Sequence, residues 1–149
     1  MPTDSQLRTR FFKNQADFVK LVEMSGQDRR VTLIDFGFTY LENDGSWPRK
    51  DIGFSQERWN EYRGLFRKLD IESGLARDTR DPPIVFIRVY ASGGVLGSSE
   101  KGYAHSEKAL SPLVNSLDRF PRESYEKTKG HAPVFGSLAN NWYLYREEY

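Results

Sequence analysis

Pro83-Ile84-Val85-Phe86-Ile87-Arg88-Val89-Tyr90-Ala91-Ser92 is the stretch whose reading decides the fold. β-Branched and aromatic residues dominate it, and apolar side chains fill both alternating sets of positions apart from Arg88. A strand covered on both faces has that composition, so Ile84 to Ser92 reads as a central strand. Gly93-Gly94 then offers a two-residue hairpin turn, where positive φ is needed. A return strand from Val95 through Ser106, interrupted near Gly97-Ser98-Ser99, completes an antiparallel pair. A hairpin at this place argues against a regular series of parallel βαβ units.

Working outward, residues 55–69 read as a helix. Ser55 is a good N-cap, Phe54 and Trp59 have the spacing of a hydrophobic staple, and Trp59, Tyr62, Phe66 and Leu69 line one face. Residues 31–41 (VTLIDFGFTYL) read as a strand with Ile34, Phe36, Phe38 and Tyr40 on one face, followed by an Asn43-Asp44-Gly45 turn. Residues 14–25 read as a helix with Phe18, Leu21 and Val22 as its stripe, and Leu7 to Phe12 as a short strand. Downstream of the helix at 55–69, Arg77 to Asp81 reads as a charged loop. Ser111-Pro112 has the form of an N-cap and first-turn proline for a short helix with Leu113, Val114 and Leu117. Residues 118–140 read as irregular, and Trp142 to Glu147 as a terminal strand.

The order (β)-α-β-α-β-β-α-β gives an α+β class. The expected architecture is a mostly antiparallel sheet of about four to five strands with two main helices packed on one face. No linker, repeat or low-complexity tract divides the chain, so residues 1–149 read as a single domain. Twenty-one Phe, Tyr and Trp residues offset an apolar fraction of 38%; each buries roughly 150–250 Å² when packed.

Composition also bounds the chemistry. The net charge of +1 supplies no global field to hold nucleic acid or anionic lipid. The absence of cysteine excludes disulfides, thiol catalysis and cysteine metal sites, and two histidines leave little for zinc, so no metal site is expected. The longest apolar run, Ile84 to Ile87, falls far short of the ~20 residues that span a bilayer, and the polar N-terminus has no signal-peptide core. The expected protein is soluble and cytoplasmic, with no membrane partner.

The glycine-rich stretch Ser92 to Gly102 invites a phosphate-loop reading, but its spacing fails. A Walker A loop needs Gly-Lys-Ser/Thr opening onto a helix, whereas Lys101 precedes Gly102 and a strand follows. The dinucleotide pattern fails too, so no cofactor is expected. His105 is better placed for chemistry. In a regular strand it shares a face with Tyr103 and Lys101, and Arg88 from the facing strand would stabilise a phosphate. That constellation would serve a small metal-independent hydrolase or nuclease. His131 lies in the irregular tail. Asp35 interrupts its strand and needs a partner, for which Arg88 is the candidate. Asp44 and Asp51 flank a turn without the ligand pattern of a calcium loop.

Two binding surfaces remain. On the helix at 55–69, Arg63, Arg67 and Lys68 lie away from the aromatic stripe, with Arg49 and Lys50 upstream; together they would meet phosphates or an acidic partner. In the terminal strand, alternation sets Tyr143 and Tyr145 opposite Trp142 and Leu144, and an exposed tyrosine face is the kind enriched at protein interfaces. Lys101-Gly102-Tyr103-Ala104-His105-Ser106, Ser111-Pro112-Leu113-Val114 and Asn141-Trp142-Tyr143-Leu144-Tyr145 resemble small bacterial proteins of unassigned function. The resemblance implies a bacterial or phage origin and carries no activity. The function expected from these features is non-enzymatic binding of another protein, as by an immunity protein or a phage-encoded inhibitor. A His105-centred hydrolase and a nucleic-acid or nucleotide binder are the alternatives.

Overall fold

The computed structural model of the chain describes residues 1–41, 44–46, 52–94, 97–119 and 132–148. Among these residues three helices and eight strands form an α+β fold: α1 (Asp4–Lys13), α2 (Gln15–Gln27), β1 (Val31–Ile34), β2 (Thr39–Leu41), β3 (Asp44–Ser46), α3 (Gln56–Lys68), β4 (Leu75–Arg77), β5 (Val85–Gly94), β6 (Gly97–His105), β7 (Val134–Ala139) and β8 (Trp142–Glu148). The strands make one sheet in the order β3-β2-β1-β4-β5-β6-β8-β7, with every pairing antiparallel. The sheet is thus larger than the four to five strands expected, and a third helix joins the two.

That third helix is α1, where the sequence reads as a strand from Leu7 to Phe12. Thr3 accepts from the Gln6 backbone while the Gln6 side chain accepts from the Thr3 backbone, a capping box that fixes the first turn. Leu7 and Phe11, one helical turn apart, are both fully buried. In α3, Ser55 caps the N-terminus by accepting from Arg58 N at 3.1 Å, and Trp59, Tyr62, Leu65 and Phe66 are buried.

The strand read at 31–41 breaks in two. Asp35 N donates to Phe38 O at 2.9 Å, so residues 35–38 turn the chain and β1 pairs with β2 as a hairpin. The single alternating face therefore does not form: Ile34 is buried whereas Phe38 and Tyr40 are exposed. Asp44 and Gly45 belong to β3 rather than to a turn; Asn43 lies outside the described residues. Arg77 ends β4, a short strand that takes the first residue of the expected charged loop while residues 78–81 remain a loop, and residues 134–139, expected irregular, form β7. The helix read after Ser111-Pro112 is absent. Val114 N instead donates to Phe135 O and Phe135 N to Pro112 O, so the backbone groups a helix would use are spent on β7. Gly93 and Gly94 are the last paired residues of β5, opposite Ser98 and Gly97; the connection at 95–96 lies outside the described residues.

All three helices bury their apolar faces in one cluster with Val31, Ile34, Leu75, Ile87, Val89, Tyr103 and Leu144. An aromatic knot ties α1 and α2 to the sheet: the Phe18 ring lies 4.6 Å from Tyr103, and Phe11 lies 5.0 Å from Trp142. The opposite face of the sheet carries a smaller cluster, Ile84, Ala104, Leu110, Phe135 and Tyr145, with no helix residue in it among the described residues.

Candidate functional site

Strand parity sorts the candidate residues onto these two faces. Pairing sets His105 opposite Val85, Tyr103 opposite Ile87, and Arg88 opposite Gly102. Lys101, Tyr103 and His105 therefore face the helices, and Arg88 projects from the other side. A β-bulge between Arg88 and Tyr90 sets this register. Gly102 permits it, because a Cβ there would sit 2.0 Å from Ile87 O.

Each helix-side group is already engaged. The Lys101 ammonium is fully buried and contacts Asp4 Oδ1 at 2.7 Å and Asp118 Oδ1 at 2.8 Å. Asp4 Oδ2 accepts from Leu117 N at 2.7 Å, and Asp4 N donates to Asp118 at 2.8 Å. The clasp ties the start of α1 to β6 and to the segment at 117–118. Its hydrogen bond from Lys101 holds the Asp118 carboxyl below the usual carboxylate range. Tyr103 donates to Leu7 O at 2.8 Å, and burial pushes its hydroxyl well above the ordinary tyrosine range. His105 is half-buried against Trp142, with ring centroids 4.9 Å apart; desolvation lowers its pKa, partly offset by Glu107. The expected convergence with Arg88 is not formed, because the sheet lies between. Arg88 also does not pair with Asp35, which sits in the β1–β2 turn and accepts from Gly37 N at 3.4 Å.

Arg63 and Arg67 are drawn onto the fold. The Arg63 guanidinium lies 3.6 Å over the Trp59 ring and donates to Phe36 O; Arg67 lies 5.7 Å over Phe36. Together they clamp the β1–β2 turn onto α3. Tyr145 is fully buried, not a surface tyrosine: its ring packs 4.9 Å from Phe86 and its hydroxyl donates to Glu100. Burial and the Glu100 charge push that hydroxyl far above the ordinary range. Tyr143 is partly buried, 6.1 Å from the Phe135 ring. His131, Arg49, Lys50 and Asp51 lie outside the described residues.

What the structure assembles instead is a groove on the opposite sheet face, which is helix-free among the described residues. A depression of about 370 Å³ is lined by Leu33, Ala76, Phe86, Arg88, Glu100 and Glu147. A second, of about 300 Å³, continues from Arg88 and Glu100 towards Ser92 and Ser98. Arg88 Nε donates to Glu100 Oε2 at 2.8 Å and Arg88 Nη1 to Ser73 O at 3.3 Å, so the floor holds a fixed polar strip between apolar walls. At the rim, Tyr40 pairs across from Leu33, and Phe38 packs edge-on to it at 5.6 Å. These two aromatic side chains are 44% and 43% exposed. The isolated charge of Arg88 in an apolar strand was the one signal of this groove in the sequence; the β1–β2 turn that presents Phe38 and Tyr40 left none.

Among the described residues, no three of His, Asp and Glu come together as a metal site, and no helix is long and apolar enough to cross a membrane. No family model matches the chain, and no curated protein or solved structure matches it.

Proposed function

We propose that the protein is a binding module whose helix-free sheet face docks a protein partner. The observation that carries this reading is the groove from Leu33 to Ser98, rimmed by the exposed Phe38 and Tyr40. Aromatic side chains beside a desolvated polar strip are the usual composition of an interface centre. Leu33, Ala76 and Phe86 would take an apolar side chain of the partner. The Arg88–Glu100 pair would select its polar neighbours by leaving mismatched ones unpaired. Action by occlusion, as by an immunity protein or a phage-encoded inhibitor, fits a module that presents one face and keeps its helices for its own core. Residues 1–149 acting as one domain in a bacterial cytoplasm belongs to the same proposal. It rests on one sheet that takes in the eight described strands, with the three helices packed in one core against it, and on the resemblance of the C-terminal third to small bacterial proteins.

The test is site-resolved photo-crosslinking in cells of the source. A benzophenone side chain placed at position 38 or 40 should trap one partner, and the same probe at Val19, exposed on α2, should not. A Tyr40→Glu substitution should abolish capture while leaving the melting temperature unchanged. Equal trapping from position 19 would refute the assignment of the face. So would the lack of any adduct from 38 and 40 alongside a nucleotide- or nucleic-acid-cleaving activity lost on His105→Ala.

A further inference from the structure

Away from the groove, four arginines converge at the end of α2. Arg29 and Arg30 follow its C-cap Asp28, Arg77 ends β4, and Arg80 lies in the β4–β5 loop. With Thr79 and Asp78 they line one depression of about 350 Å³. We propose that this depression binds a compact oxyanion of the diphosphate class, recognised through its phosphoryl groups.

The argument is one of unmatched charge. Asp28, the acid next to Arg29, is turned away: its Oδ2 accepts from Arg58 Nε at 2.8 Å and from the Tyr62 hydroxyl at 2.7 Å. Asp78 is the one carboxylate in the lining among the described residues, and it holds its own loop, accepting from Arg80 Nε, Arg80 N and Ile84 N. Arg77 reaches a neutral partner, Ser25 Oγ, at 3.5 Å. Among the described residues, Arg29 and Arg30 have no ion-pair partner. Arg80 is neutralised by Asp78, so the guanidinium groups of Arg29, Arg30 and Arg77 are left facing the space without a carboxylate. The partial negative charge at the C-terminus of α2, about half an elementary charge, does not offset them.

The shape of the lining sets the ligand class. Guanidinium forks match phosphoryl oxygens two at a time, so the three without a carboxylate partner, with Arg80 beside them, exceed what a single orthophosphate needs. The volume lies near the lower end of the roughly 300–1,000 Å³ of small-ligand sites. Among the described residues no aromatic ring lines it, so a base would find none of these to stack on.

Titration calorimetry at low ionic strength tests the proposal, with pyrophosphate, orthophosphate, a nucleoside diphosphate and a single-stranded oligonucleotide as probes. Pyrophosphate should bind about tenfold or more tightly than orthophosphate, and the nucleoside diphosphate should match pyrophosphate. The double variant Arg29→Gln, Arg30→Gln should weaken pyrophosphate by about tenfold or more. Its melting temperature without ligand should stay unchanged, because both side chains are exposed. Arg29→Lys with Arg30→Lys should fall between, keeping the charge and losing the fork. Equal binding by the Gln variant, or no more binding than ionic-strength-matched chloride, would overturn the site. A nucleoside diphosphate binding far more tightly than pyrophosphate would overturn phosphoryl-only recognition. An oligonucleotide that outcompetes pyrophosphate and is lost with the same variant would make the cluster a nucleic-acid surface instead.

Discussion

Replacing Asp4 by alanine strands the Lys101 ammonium in the protein interior. The Lys101 side chain is 1% exposed and touches two carboxylates, of which Asp4 is the more buried and Asp118, at 43%, is open to water. Removing one partner of a buried pair costs about 3–5 kcal/mol, because the remaining charge stays desolvated. Asp118 keeps part of the compensation, which places the loss at the lower end. Leu117 N also loses its acceptor. The expected destabilisation is about 3 kcal/mol, or a fall of roughly 1.5 M in the urea midpoint for a slope near 2 kcal/mol per M. Equilibrium unfolding followed by the fluorescence of the buried Trp59 and Trp142 measures it. The double variant Asp4→Ala, Lys101→Met should be more stable than Asp4→Ala alone, since no charge is then stranded. A loss below about 1 kcal/mol in Asp4→Ala, or a double variant weaker than the single, would refute the reasoning that the clasp holds an obligatory buried charge.

Gly102→Ala brings a methyl group to within 2.0 Å of Ile87 O, a backbone atom in a central strand, so the bulge must open. Calorimetry should show a loss of about 3 kcal/mol, at the upper end of overpacking costs, and a loss under 1 kcal/mol would contradict the close approach. The depressed pKa of His105 means that the unfolded chain binds its proton more readily than the folded one. The stability it contributes is complete above about pH 6.5 and is lost as pH falls through the lower folded value. Between pH 7.5 and 5.5 the wild type should therefore lose more stability than His105→Asn, and parallel profiles would argue against the buried neutral ring.

The elements that were legible in the sequence carry strong local chemistry. Ser55 and the stripe from Trp59 to Phe66 mark α3, and the β-branched run from Ile84 marks β5. Those that were not legible owe their state to partners far along the chain. β7 exists because Val134 to Ala139 pairs with β8, and residues 112–114 are extended because they bond to Phe135. The strand read at Leu7 to Phe12 had a local answer in Thr3-x-x-Gln6, a capping box placed ahead of an i, i+4 apolar pair.

The candidate site turns on a single inserted residue. Near the hairpin end, Tyr90 pairs with Lys101 and Ala91 with Glu100. Continued without interruption, that ladder would set Val89 opposite Gly102 and Arg88 opposite Tyr103. Arg88 would then share a face with Lys101 and His105, as the sequence reading expects. The bulge at Val89 lets Arg88 pair with Gly102 and flips its side chain to the other face. There it meets Glu100 and, through it, Tyr145. No alternation pattern reveals the bulge, because apolar residues fill both alternating sets of positions around Arg88. Its trace in the sequence is Gly102, where the partner backbone leaves no room for a Cβ. The same insertion that dismantles a His105–Arg88 phosphate site therefore supplies the charged floor of the groove. The two functional readings of this hairpin are alternatives at the level of register, before any side-chain chemistry is considered.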